Sequence, residues 1–113
     1  MSLDIRQQEV KPGVIVIKLS GNVMRGPASE QLETLVPQLL KEGYRKIIFD
    51  LEEVKRIDST GIGRFIFSLN SAEQAGAQLR MAGAAGYVRE CFKVTRLDTV
   101  FRFCTTVEEA SAD

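Results

Sequence analysis

The residues best suited to chemistry stand together in the segment Asp58-Ser59-Thr60-Gly61-Ile62-Gly63. A carboxylate and a hydroxyl here precede a stretch, residues 62–69, in which apolar residues recur at the spacing of one helix face. At the start of a helix, either Asp58 or Ser59 can accept a hydrogen bond from a free backbone N–H group. The sequence therefore leaves two roles open for Ser59, that of a helix cap and that of a functional hydroxyl.

No other segment presents a recognisable catalytic or cofactor motif. The chain has no histidine, which removes the commonest general base and the commonest metal ligand. Ser59 does not lie in a Gly-x-Ser-x-Gly motif. Gly61 and Gly63 lack the third glycine of a dinucleotide-binding loop, and no Walker motif is present. We therefore expect no catalytic residue, no metal site and no cofactor.

Two cysteines and two adjacent glutamates have structural explanations. Cys91 and Cys104 fit neither a zinc spacing nor a CxxC motif, so we interpret them as reduced, buried thiols of a cytoplasmic protein. Glu52 and Glu53 follow a predicted strand. We interpret them as a solvated acidic turn, because paired acids matter only where geometry joins them.

The composition favours a single folded domain over residues 1–113. Hydrophobic residues make up 44% of the chain, which suits one buried core. Lysine plus arginine and aspartate plus glutamate both number 15, and the resulting net charge of zero argues against direct binding of nucleic acid. No run approaches the roughly 20 apolar residues of a transmembrane helix, and no signal peptide opens the chain, so we expect a cytoplasmic protein.

Hydrophobic periodicity predicts an α/β fold in which Ser59 follows the central strand. Residues 47–49 are apolar on both faces, as in a buried parallel strand, and a loop then leads to Asp58. The order β-β-α-β-α-β-α-β-α predicts a four- to five-stranded, mostly parallel sheet with an antiparallel N-terminal strand, flanked by about four helices. The predicted strands are 3–10, 14–19, 46–50, 78–82 and 100–103, and the predicted helices are about 27–42, 60–75, 87–95 and 107–112.

Finer features of the fold are also predicted. Pro37 lacks an N–H group, which predicts a kink or break between Glu33 and Pro37. Thr106, with Glu109 three residues later, has the pattern of a capping box. A loop is expected over 20–26. The predicted core contains Ile48, Leu51, Ile62, Ile66, Leu69, Leu79 and Met81.

The central segment resembles the signature of the STAS domain family, which is named after sulfate transporters and anti-sigma factor antagonists. The residues that carry the resemblance are Ile47-Ile48-Phe49-Asp50-Leu51 and, after a charged spacer, Ile57-Asp58-Ser59-Thr60-Gly61-Ile62-Gly63. The likeness extends outward from Val14–Leu19 to Ala110, and the length resembles that of stand-alone bacterial anti-sigma factor antagonists. It implies a STAS-like sheet with the arrangement predicted above.

The resemblance implies a regulatory switch rather than an enzyme. In such antagonists, the serine that matches Ser59 is phosphorylated by an anti-sigma factor that is also a serine kinase. The unphosphorylated form binds that anti-sigma factor and frees the sigma factor, and a serine phosphatase resets the switch. The partner-binding residues implied are Met24, Arg25, Asp58, Ser59, Thr60, Gly61, Ile62 and Arg64, with Lys55 and Arg56 nearby as further charges or as solvated surface.

One stretch departs from the family pattern. The family often has Gly-Glu-Leu-Asp after its second strand, with an acid that helps to engage the kinase, whereas this chain has Gly21-Asn22-Val23-Met24. Met24 is then a hydrophobic contact or a loop residue folded inward. Two alternatives to a sigma-factor switch stay open: a non-sigma STAS module, such as a stressosome scaffold or the small regulatory subunit of a lipid-transport ATPase, and a small α/β enzyme.

Overall fold

The part of the chain that the structure describes forms a sheet of five strands in the order β1-β2-β3-β4-β5. The computed structural model describes residues 2–112. Strand β1 pairs antiparallel with β2, and all other pairs are parallel, which confirms the predicted mixed sheet with its central third strand. The strands are β1 (Leu3–Lys11), β2 (Val14–Val23), β3 (Lys46–Ile57), β4 (Gln78–Ala82) and β5 (Arg102–Cys104).

The helices fall where they are predicted, apart from one division. They are α1 (Pro27–Glu30), α2 (Leu32–Lys41), α3 (Ser59–Gln74), α4 (Gly86–Val94) and α5 (Val107–Ser111), with a 3-10 turn at Leu97–Thr99. Within residues 2–112, no helix is both long and apolar enough to cross a membrane.

Of the two alternatives predicted near Glu33 to Pro37, the break is wrong, and the kink stays a prediction. Helix α2 continues through Pro37, because the ring removes only one helical hydrogen bond while Val36 and Leu39, on either side, are buried in the core. The division falls at Gln31, which still has helical backbone angles of φ −57° and ψ −25°.

Two layers of side chains cover the sheet. The larger core packs α2, α3 and α4 against one face, and its aromatic rings join these elements: Phe65 lies 5.1 Å from Phe49 and 5.8 Å from Phe92, centroid to centroid. The smaller core lies under α5. There the buried cations Lys46 and Arg80 donate to the carbonyl of Ala110, at the end of α5 where positive charge is favoured.

The core prediction is confirmed for the strands and is wrong at one helical position. Four of the seven predicted core residues are buried, namely Ile48, Leu51, Leu79 and Met81, and Ile62 and Leu69 are half-buried. Ile66 is 37% exposed. The buried face of α3 runs through Gly61, Phe65, Ser68 and Ala72, so Ile66 is turned about 100° away from its centre at Phe65.

Two segments predicted as loops are strand. Strand β2 extends beyond Leu19 to Val23, and β3 extends beyond Asp50 to Ile57. These two extensions contain charged and small residues, which do not give the apolar pattern of a strand. The register between β2 and β3 also shifts along the extension of β2. Glu52 and Glu53 therefore lie in β3, not in an acidic turn. The Ser20 hydroxyl donates to Glu53 at 3.0 Å and Lys18 forms a 3.2 Å ion pair with it.

The two cysteines are free but only half-buried, so the expectation of buried thiols is wrong. Cys91 packs against the larger core and Cys104 against the smaller one. The last strand, β5, begins at Arg102, two residues later than predicted.

Candidate functional site

Asp58 is the N-cap of α3, which decides between the two capping candidates. Its backbone is extended (φ −114°, ψ −177°), and its Oδ1 accepts from the Gly61 N–H at 2.7 Å. Ser59 is the first residue of the helix and is exposed. Because the carboxylate already performs the capping, the Ser59 hydroxyl is left available at the positive end of the helix dipole.

The Asp58 carboxylate also fixes a second segment beside Ser59. Its Oδ2 accepts from the Arg25 N–H at 3.0 Å, in the loop between β2 and α1. Partial burial acts to raise the pKa of Asp58, but hydrogen bonds from the N–H groups of Arg25, Gly61, Asp58 itself and Thr60 outweigh it, so that the pKa is lowered. The group is therefore charged at neutral pH and holds two elements together.

Gly61 permits the close contact between α3 and the end of β2. A Cβ atom at this position would lie 1.8 Å from the carbonyl oxygen of Val23, closer than any non-bonded pair tolerates. Gly63, two residues later, is exposed, and a Cβ atom there would meet nothing within 4 Å. The two glycines of the motif thus have different reasons for being present.

A second set of contacts holds the same loop from the opposite side. The Ser29 hydroxyl donates to the Met24 carbonyl at 2.6 Å and accepts from Arg64 Nε at 3.1 Å. Arg64 Nη1 also forms a 3.1 Å ion pair with Glu33. The Arg64 side chain is only 15% exposed. Of the residues named from the resemblance as partner contacts, Arg64 is therefore engaged inside the protein.

The structure brings most of the predicted site residues to one end of the sheet. Residues 58–61 form the first turn of α3, and the loop with Met24 and Arg25 lies beside them. Arg25 and Ser59 are exposed, whereas Met24 and Thr60 are half-buried. Gly61 is buried, and Ile62 packs against the larger core. The side chains that face solvent are thus a cation and a hydroxyl on two adjoining elements.

Tyr87 is a neighbour of this site that sequence reasoning missed. It lies on α4 with 58% of its surface exposed, and its O–H donates to the carbonyl of Ile57, the residue before Asp58, at 3.4 Å. A hydrogen bond with the Cys91 side chain raises the pKa of Tyr87. One feature of the sequence indicated that Tyr87 is exposed, namely its position directly after the Gly86 turn. The contact with Ile57 had no local signal, because it joins residues 30 apart in sequence.

The chemistry that this geometry supports is the carrying of an anionic group. Among residues 2–112, no group of three or more His, Cys, Asp or Glu side chains is arranged to hold a metal ion. The first N–H groups of α3 and the helix dipole favour negative charge next to Ser59. A phosphate on Ser59 is therefore compatible with the fold.

The chain is similar to a known protein family, to curated proteins and to solved structures. The family model described as STAS domain matches residues 6–110. The anti-sigma-B factor antagonist of Staphylococcus aureus (strain NCTC 8325 / PS 47) is 31% identical over 67 residues, which cover 59% of this chain and 62% of that protein. The solved structure of the anti-sigma factor antagonist SpoIIAA, unphosphorylated, aligns with a TM-score of 0.80 and 23% identity over 95% of this chain and 92% of that one.

A third similarity points to the same fold. An anti-sigma factor antagonist from Mycobacterium paratuberculosis aligns with a TM-score of 0.80 and 18% identity, over 96% of this chain and 91% of that one. Because the family model covers nearly the whole chain, the protein belongs to the STAS domain family. The match spans 62% of the length of the Staphylococcus aureus relative.

Proposed function

We propose that this protein is an anti-sigma factor antagonist that regulates transcription by phosphorylation-controlled partner switching. The observation that carries the proposal is an exposed Ser59 at the first position of α3, behind a cap that Asp58 provides independently. The unphosphorylated form binds an anti-sigma factor that is also a serine kinase. Phosphorylation of Ser59 releases it, and a serine phosphatase restores the binding form.

Simple electrostatics accounts for the switch. A phosphate adds about −1.5 to −2 charges. The N-terminus of α3 accommodates this charge, so the fold of the antagonist need not change. A partner surface that is acidic or tightly packed against Ser59 does not accommodate it. The switch is therefore local to the interface.

The relatives support this assignment. One curated relative is named an anti-sigma-B factor antagonist, and SpoIIAA from Bacillus has been solved in a phosphorylated form with a TM-score of 0.74 to this chain. In this proposal the protein is a substrate and ligand rather than an enzyme, needs no cofactor, and acts in the cytoplasm where its partners are. The contact surface consists of Arg25, Ser59 and Thr60. The position of these residues depends on Asp58, which bonds the Arg25 N–H, and on Gly61, which lets α3 approach β2.

The second candidate is a STAS module that binds a partner outside sigma-factor control. Asn22 and Met24 favour it, because they replace the acids that many antagonists have at these positions. Asn22 is half-buried at the end of β2, and the Met24 side chain is half-buried rather than presented to solvent. A stressosome scaffold or the small regulatory subunit of a lipid-transport ATPase fits this description.

Recovery of the protein from its native cells separates the candidates. Mass spectrometry then reads two features of the same sample, phosphate on Ser59 and the identity of the co-purified protein. The proposal expects a phosphorylated fraction at Ser59 and an anti-sigma factor with a kinase domain. A transporter ATPase as the partner, with Ser59 never modified, supports the second candidate instead.

A further inference from the structure

The peptide group between Met24 and Arg25 is held at both of its polar atoms. Its carbonyl oxygen accepts from the Ser29 hydroxyl at 2.6 Å, and its N–H donates to Asp58 Oδ2 at 3.0 Å. A peptide group with both atoms engaged cannot rotate without breaking a hydrogen bond. The direction in which the exposed Arg25 side chain leaves the backbone is thereby fixed next to Ser59.

The contacts that hold this peptide form a closed circuit on α3. Asp58 caps the helix, and Arg64 lies on its second turn. From Arg64 the circuit runs through Nε to the Ser29 hydroxyl at 3.1 Å, then through Met24 and Arg25 back to Asp58. The loop is therefore tied at two points to the helix that carries Ser59.

Arg64 is itself held in place by charge. Its Nη1 lies 3.1 Å from Glu33 Oε2 on α2, so that the two ends of the guanidinium serve two different partners. The planar guanidinium holds its N–H donors in a fixed fork, so it sets the directions of both hydrogen bonds as well as placing a charge. A lysine ammonium places the charge without setting these directions. Ser29 is 1% exposed and so has no surface with which to meet another protein.

We infer that Arg64 and Ser29 are positioning residues, which hold the loop at Met24 and Arg25 beside Ser59 and thereby set the affinity for the partner without contacting it. The inference rests on the proposed function, because the affinity concerned is that for the anti-sigma factor. It gives Arg64 a role different from the direct partner contact that the resemblance implies.

Amide hydrogen exchange tests whether the circuit holds the loop. The variants are Ser29→Ala, Arg64→Ala and Arg64→Lys, with Arg102→Ala as a control that removes an exposed cation from the edge strand β5. We expect exchange of the Arg25 amide to accelerate about two- to tenfold in the first two variants, since one side of the clamp is lost. The Gly61 amide, bonded within the cap of α3, should be unchanged, which separates loop release from general unfolding.

Calorimetry of the same variants tests the consequence for binding. The probe is the purified anti-sigma factor of the same genome that carries a serine kinase domain. We expect Ser29→Ala and Arg64→Ala each to weaken binding about two- to thirtyfold, and the double variant to be no weaker than either single variant. Arg64→Lys keeps the charge near Glu33 but not the fork, so its affinity should fall between those of Arg64→Ala and the parent. Arg102→Ala should bind as the parent does.

Three results overturn the inference. In the first, the Arg25 amide exchanges at the parent rate in Ser29→Ala and Arg64→Ala. In the second, that amide is released but binding is as tight as in the parent. In the third, Arg64→Ala weakens binding while Ser29→Ala does not, or the effects of the two substitutions on the binding free energy add. Either outcome makes Arg64 a direct contact. A parent protein that does not bind this probe overturns the proposed function and the affinity half of the inference, whereas Arg25 exchange decides the loop half by itself.

Discussion

The carbonyl oxygen of Val23 occupies the space that a side chain on Gly61 would need, with only 1.8 Å to an added Cβ atom. This contact sets how closely the first turn of α3 approaches the end of β2. The Asp58 N–H donates to the same carbonyl at 3.4 Å, so the contact lies at the N-cap residue that precedes Ser59. The glycine is thus a packing requirement and not a nucleotide-binding feature.

Gly61→Ala should be strongly destabilising, by about 2 kcal/mol or more, because neither the Val23 backbone nor the capped helix can move freely. Gly63→Ala is the matched control. At this exposed helical position the free energy of unfolding should rise by roughly 0.5–1 kcal/mol, since alanine suits a helix better than glycine. Urea denaturation measures both. Equal effects of the two substitutions would contradict the packing account.

Asp58→Asn should cost about 1 kcal/mol at pH 7. The new side chain keeps one acceptor for the Gly61 N–H but turns an NH₂ group toward the Arg25 N–H, which leaves two donors facing each other. The difference in unfolding free energy between the parent and Asp58→Asn also depends on pH. Because the pKa of Asp58 is lowered in the folded protein from its ordinary value of 3.8, the ionised carboxylate stabilises fully above that ordinary pKa, and this contribution is lost as the pH falls through the folded pKa.

Unfolding free energies of the parent and Asp58→Asn, measured at several pH values, check this dependence. The difference between the two proteins should be largest at neutral pH and should shrink below pH ~4. A difference that stays constant through this range would mean that the charge of Asp58 does not contribute, and that only its shape does.

Phe65→Ala and Ile66→Ala test the orientation of α3. Phe65 is buried between the rings of Phe49 and Phe92, so its truncation should cost about 3–5 kcal/mol. Ile66 is 37% exposed, and its truncation should cost less than ~1 kcal/mol. Thermal or urea unfolding of the two variants gives the ranking. A larger loss of stability for Ile66→Ala than for Phe65→Ala would mean that Ile66 faces the core, as the apolar spacing predicted.

Local patterns predicted the parts of the fold that local physics decides. The central strand over 46–50 and the helix after Asp58 follow directly from apolar spacing and a capping residue. The capping box at Thr106 is confirmed, with the Glu109 N–H donating to Thr106 Oγ1 at 3.0 Å, although the Glu109 carboxylate accepts from the Thr105 N–H instead of that of Thr106.

The features that sequence reasoning missed depend on distant contacts. Ile66 was misplaced because the apolar residues of α3 extend past both sides of its buried face. The contact of Arg64 with Ser29 joins residues 35 apart, and neither has a pattern that indicates the other. Ser59 and Asp58 were recognisable because their setting, a strand followed by a capped helix, is continuous in sequence, whereas Met24 and Arg25 were placed beside them only by resemblance to the family.

The affinity of Ser59→Asp for the anti-sigma factor, measured by calorimetry, tests the central claim most directly. This variant adds one charge at the favourable end of α3, so it should unfold within about 0.5 kcal/mol of the parent. It should bind more weakly by about 1–3 kcal/mol, a partial loss because a phosphate carries more charge. Ser59→Ala serves as the control. Because Asp58 is the cap, this variant should fold like the parent and should still bind the partner, and its binding should resist kinase and ATP. Binding of Ser59→Asp as tight as that of the parent, with no phosphate found on Ser59, would contradict the switch and leave Ser59 as an exposed residue of the first turn.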